Sequence, residues 1–388
     1  MSSATGTPGD VRRLAWIDWL KVIVVLGVFA YHAAQPFVLT SWIVVAEEKS
    51  LLLSALAGLG YLFGMPLMFL LAGAASWAAL QGTTVVAYAR KRLRLVLPLV
   101  AGFAILSPLQ AWIGASTRGE SIGPLHFAVR YWTDAELPLG PTWFGDYGYH
   151  LWFIAFLLVY ALVSLPLLVR LRAQPPLRPT AAWMVTLPIA GLIIGQVPLR
   201  VAFPAYRDWA DFAMWLAYFL AGAALLARPA VLQSIAGRGL VMVVPGILLA
   251  AAMIPLFQDG SGMTLESSPT FDAASLGYIV VRTVIGACWV VVAVAIGSRW
   301  FDGRGAQARE ASRLVLPFYV LHHPIVVVVA AVVVPLSLPM GLSFVTILAV
   351  AGLLTLGACL AAARQSALRV LFGMGAPPPA PRSTTVPT

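Results

Sequence analysis

The feature that most restricts this chain is a series of apolar blocks, each of about twenty residues, the length that a helix rising roughly 1.5 Å per residue needs to cross the hydrocarbon core of a bilayer. The blocks fall near residues 14–38, 51–80, 95–115, 149–169, 181–203, 209–227, 239–257, 276–298, 314–334 and 343–363. Sixty per cent of the 388 residues are hydrophobic and ten per cent are charged, against roughly 25% charged in an ordinary soluble domain. The expected fold is therefore an all-α polytopic membrane protein of about ten transmembrane helices. It divides into a short segment 1–13, a membrane domain 14–363 and a tail 364–388. The first block follows Arg12 and Arg13 as a secretory signal would, but a signal core is about 7 to 15 residues. This block is longer and carries Asp18, Lys21 and His32, so it reads as a retained first helix.

The net charge of +10 does not point to nucleic acid, because the basic residues sit between apolar blocks and not along one soluble face. Cytoplasmic segments of membrane proteins carry an excess of Lys and Arg. Alternating sides block by block places Arg12, Arg13, Arg90, Lys91, Arg92, Arg94, Arg170, Arg172, Arg178, Arg228, Arg238, Arg299, Arg304, Arg309, Arg313, Arg364, Arg369 and Arg382 on one side. The other side holds only Lys49, Arg118, Arg130, Arg200 and Arg207, with Lys21 and Arg282 inside helices. Both termini are expected to be cytoplasmic, which requires an even number of spans. Cys288 and Cys359 each lie inside an apolar block, where a small buried thiol is the simplest reading, and no disulfide framework or metal spacing is present.

A charged group inside a bilayer costs roughly 2.5 to 3.5 kcal/mol on insertion scales, so each one asks for a partner or a role. In the first helix, Lys21 and His32 are eleven positions apart, which at about 100° per residue brings them within roughly 20° on one face. His32 then lies about 16 Å further along the helix than Lys21. Such a face suits a polar passage; Asp18 and Lys21 equally suit an ion pair one turn apart, with the lysine snorkelling. The ninth block carries His322, His323 and Pro324. Successive helical residues point about 100° apart, so at most one of these histidines faces a given groove squarely. On the basic side, Arg90, Lys91, Arg92 and Arg94 stand before Pro98. They suit the phosphates of a nucleotide-bearing donor or anionic lipid headgroups.

The longest loop on the opposite side, about Ser116–Gly148, holds Tyr131, Trp132, Trp143 and Tyr147. Long loops in compact proteins tend to be functional; the aromatics fit either an interfacial belt or a surface for sugar rings over an acceptor site. The last stretch, Gly373–Thr388, is rich in Pro, Ser and Thr and reads as disordered.

Four segments together resemble the acyltransferase family 3 of integral membrane acyltransferases, which includes the succinyltransferase of periplasmic glucans. They are RLAWIDWLKVIVVLGVFAYH (13–32), YARKRLRLVLPLVAGF (88–103), HLWFIAFLLVYAL from His150, and ASRLVLPFYVLHHPIVV (311–327), where Tyr319, His322 and Pro324 fall on the family's Tyr, His and Pro. One departure is Lys21, where the family usually has Arg; an ammonium cannot make the planar two-pronged contact of a guanidinium. The resemblance implies transfer of an acyl group, of acetyl or succinyl type, from a cytoplasmic acyl-CoA to a hydroxyl of an extracytoplasmic or lipid-linked saccharide, in a bacterial cytoplasmic membrane. Acyl-CoA is then a donor substrate and no bound cofactor is expected. His32 is the expected general base or acyl carrier, with Lys21 stabilising negative charge, Asp18 holding Lys21, and His322 as a further polar lining residue. Arg90, Lys91, Arg92 and Arg94 are the expected donor-binding cluster. No serine nucleophile elbow, metal triad or phosphate-cradling glycine loop is present. The main alternative is a multi-span transporter or flippase with its histidines and Arg282 along a solute pathway, although the two halves show no convincing internal repeat. An assembly scaffold without chemistry is a third.

Overall fold

The apolar blocks become helices because a backbone crossing lipid must satisfy its own N–H and C=O groups internally. The computed structural model describes residues 14–136, 140–173, 183–258, 260–301 and 305–374, and every regular element among them is helical. The segment 1–13 and the tail beyond Met374 lie outside the described residues. In chain order the main helices are α1 (Ala15–Ala34), α2 (Leu51–Gln81), α3 (Val85–Thr117), α4 (Pro124–Thr133), α5 (Tyr149–Val163), α6 (Leu165–Ala173), α7 (Trp183–Ala202), α8 (Trp209–Ala227), α9 (Pro229–Gln258), α10 (Ala273–Trp300), α11 (Gly305–Val333) and α12 (Met340–Arg364).

Each predicted block lands on one of these, with differences that have local causes. Among the described residues eight helices are long and apolar enough to cross a bilayer, nine when α5 and α6 are joined as one span bent by 49°. The bend falls at Ser164–Leu165–Pro166, where proline has no N–H to continue the ladder. The fifth block is α7, which carries Pro188 and Pro198 and is apolar only over the shorter stretch Pro188–Ala202. The third span begins at Val85, earlier than expected, so the basic cluster is itself helical: Arg90, Lys91 and Arg92 form the last turn of Val85–Leu93 and Arg94 its C-cap. The first part of the expected tail is also ordered, as a short helix Ser366–Leu371.

Lipid exposure is legible in the surface. Only 11% of the most apolar window of α9, and 22% of that of α12, is buried inside the protein. Leu353, Val345 and Val244 are exposed, an arrangement that water would penalise and lipid favours. Inside, α2 and α8 make the tightest pair. A Cβ on Gly73 would lie 1.8 Å from the Phe219 carbonyl oxygen, and one on Gly222 would lie 1.8 Å from that of Leu70. Only glycine permits this approach, which is how membrane helices gain contact without a hydrophobic driving force between them. Helix α1 packs against α2, α10 and α11 and leaves Leu26 exposed.

Candidate active site

Four imidazoles meet where α1, the start of α5 and the middle of α11 converge. The His32 ring centroid lies 4.3 Å from that of His323 and 5.4 Å from that of His322. His150 lies 4.7 Å from His323, stacked, and 5.3 Å from His322. His150, His322 and His323 are buried.

The local sequence explains why these rings are held. In an α-helix the Val320 carbonyl would accept from the N–H four residues on, but that residue is Pro324, which has none. The freed carbonyl accepts from His150 Nε2–H at 3.0 Å, and the Tyr319 hydroxyl donates to the His150 carbonyl. Two reciprocal hydrogen bonds thus join α11 to the start of α5. On the other side, Gln110 follows a π-helical turn at Gly102–Leu106 in α3 and gives its amide N–H to the Leu106 carbonyl at 2.9 Å. That orientation leaves Oε1 to accept from His323 Nδ1–H. His322 Nδ1–H donates within its own helix to the Tyr319 carbonyl at 2.7 Å. A carbonyl can only accept, so His150, His322 and His323 each spend one N–H and keep the other nitrogen as a lone pair. His150 Nδ1, His322 Nε2 and His32 Nδ1 are buried without a hydrogen-bond partner among the described residues.

A cavity of about 1020 Å³ passes His32, His150 and His323, at the upper end of the range for small-molecule sites. Its wall follows one stripe of α1, Leu20, Ile23, Val24, Gly27, Val28, Tyr31, His32 and Gln35, so it runs about 22 Å along the helix. Near the start of α1 it is apolar, with Phe63, Gly64, Ala293, Ile296 and Phe301. Past His32 it becomes polar, with Thr40, Ser41, Arg118, Asp146, Tyr149 and Arg207.

His32 is where the sequence places it, on the wall of a passage. The lining histidines of the other elements are His323 and His150, whereas His322 lies behind His32, fully buried and off the lining; of two adjacent residues 100° apart, the partner faced inward. Asp18 and Lys21 form the anticipated ion pair, Oδ1 to Nζ at 3.5 Å, and Asp18 also accepts from the Ser312 hydroxyl at 3.1 Å. Lys21 is not part of the lining. Arg90, Lys91 and Arg94 are exposed, Arg92 lies over the Tyr88 ring at 4.9 Å, and none of the four borders the cavity. Arg282 is off the cavity lining; it pairs with Glu266 at 3.2 Å and donates to the Tyr61 hydroxyl at 3.3 Å. Tyr131, Trp132 and Trp143 pack on Tyr147, edge-on, stacked and tilted in turn, with Trp143 stacked on Phe103, and none reaches the cavity. His150 and Gln110 were not among the expected site residues. The His-Leu-Trp-Phe segment marked the first; nothing in the periodicity marks the second. Among the described residues no group of three or more His, Cys, Asp and Glu is placed to hold a metal ion.

The fold and site are those of an all-α polytopic membrane protein that gathers four imidazoles beside a cavity following most of a crossing helix. The chain belongs to the acyltransferase family 3: that family's acyltransferase domain matches residues 14–364. Neither a curated protein nor a solved structure matches it. Membership makes the protein a membrane acyltransferase of the O-acyltransferase type and replaces the transporter and scaffold readings.

Proposed function

We propose that this acyltransferase takes an acetyl- or succinyl-type group from a cytoplasmic acyl-CoA and transfers it to a hydroxyl of an extracytoplasmic or lipid-linked saccharide, across a bacterial cytoplasmic membrane. The observation that carries the reading is His32, held among three other imidazoles on the wall of a cavity that is apolar toward the start of α1 and polar beyond the ring. With both termini cytoplasmic, the start of α3 lies on the same side as the start of α1. Arg90, Lys91, Arg92 and Arg94 then stand at the membrane surface where a coenzyme A would leave its phosphates, and the thioester arm enters by the apolar end.

Chemistry follows from the free lone pairs. His32 takes the proton of the acceptor hydroxyl as the oxygen attacks the thioester carbonyl; the tetrahedral intermediate collapses, the C–S bond breaks, and the leaving thiolate recovers the proton from His32. His322 is a positioning residue. Its ring lies 5.4 Å from that of His32 and backs it; with His32 Nδ1 buried and carrying the proton, Nε2 is left as the base. Lys21, about 16 Å away along the helix, is out of reach of an oxyanion beside His32; its role is at the donor end, held by Asp18.

Mass analysis of surface glycoconjugates from cells with and without the protein tests the assignment. Loss of an acyl ester from a saccharide in its absence is expected, and identical ester content would refute it.

A further inference from the structure

The polar mouth of the cavity carries a charge imbalance that the transfer reaction does not call for. The charged residues on the cavity wall are Arg118, Asp146 and Arg207, two cations against one anion. The Arg118 side chain makes no hydrogen bond or ion pair with any described residue and is exposed at this mouth, while its backbone N–H caps α3 on the Ala115 carbonyl at 3.0 Å. Arg207, by contrast, is rigidly built. Its backbone sits at φ 69°, in the left-handed region that is uncommon for a residue with a side chain. Its N–H is held by Asp211 Oδ2 at 2.8 Å, and Asp211 is itself paired with buried Arg200. The guanidinium lies over Gly145, where a Cβ would come within 2.2 Å of it, and 4.9 Å from the Tyr206 ring. Asp146 Oδ1 takes one N–H at 3.2 Å. Strain at a ligand-facing position that several contacts enforce is the pattern of a clamp, and Tyr149 on the same wall shares it, with φ 51°.

We propose that Arg118 and Arg207 form an oxyanion subsite and that the acceptor carries a carboxylate or phosphate beside the hydroxyl it offers. Guanidinium donors in a fixed fork match such groups in pairs. The subsite belongs to the acceptor and not to the acyl group because it lies past His32 from the apolar arm, at the end by which the acceptor enters; in this it rests on the proposed function.

Binding without turnover tests it. Trp42 and Trp152 border the cavity, so their fluorescence in the purified, lipid-reconstituted protein reports occupancy. The probes are trigalacturonate against its carboxyl-reduced trimer, and glucose 6-phosphate against glucose. One acidic probe is expected to bind about ten-fold or more tighter than its neutral counterpart, the scale of a hydrogen bond to a charged group. Arg118→Gln removes the preference while Arg118→Lys keeps part of it; neither change breaks a side-chain hydrogen bond or ion pair, and an unchanged melting curve verifies the fold. Equal binding of acidic and neutral probes, binding of none, or an unaltered preference in Arg118→Gln overturns the proposal. So does selective binding of the succinyl over the acetyl thioester of N-acetylcysteamine with no preference among the sugars, which gives the arginines to the acyl tail. Acidic selectivity without any label transfer from acyl-CoA sinks the reaction and spares the subsite; transfer without selectivity does the reverse.

Discussion

At the scale of single residues, the site depends on which nitrogen of each imidazole is already spent. Replacing Gln110 by Leu removes the acceptor of His323 Nδ1–H and strands a buried donor, which costs about 1–3 kcal/mol. The expected result is a lower melting temperature in detergent together with reduced transfer, and an unchanged melt would mean that His323 finds another partner. Replacing Pro324 by Ala restores the N–H that competes with His150 for the Val320 carbonyl; helix propensity alone favours that change by about 3 kcal/mol. Activity is expected to fall even though α11 gains a hydrogen bond, a separation that activity and melting measured together will reveal. His32 was legible from sequence because a histidine deep in an apolar block needs a reason. The choice between His322 and His323 was not, since adjacent residues differ only in the rotation of α11, and that is set by neighbours far away in the chain. Gln110 contacts His323 across 213 positions, a relation that no local period carries.

At the scale of elements, apolar block length predicted nearly every helix, since the bilayer dictates length. Missed were the bend between α5 and α6 and the early start of α3, both decided by residues at block edges: Pro166 in the first, and in the second the Thr84 hydroxyl, which accepts from the Ala87 N–H at 3.2 Å. The seam between α2 and α8 provides a stringent test. Gly73→Ala or Gly222→Ala places a methyl on a backbone carbonyl that cannot swing away, an overpacking that costs about 1–3 kcal/mol or more. Gly357→Ala, where a Cβ meets nothing within 4 Å, is the matched control and is expected to leave the melting temperature level or slightly higher. Equal effects at the three positions would show that the two helices are farther apart than described.

At the scale of the whole molecule, an apolar arm and a polar mouth of the cavity meet at one ring, His32. Orientation is open to a labelling experiment. A cysteine at Arg118 is expected to react with a membrane-impermeant maleimide in intact cells, and one at Arg90 only after permeabilisation; native Cys288 and Cys359 are buried and contribute little background. The reverse pattern would put the donor cluster on the wrong side. Label transfer reads the role of His32 without intermediaries. Wild-type protein and His32→Ala, each in lipid and matched for melting behaviour, would be given acyl-CoA labelled in the acyl group, with membranes from cells lacking the protein as acceptor source. Loss of about 10²–10⁴-fold in the mutant, the worth of a general base, is the predicted result, and transfer at the wild-type rate would contradict it.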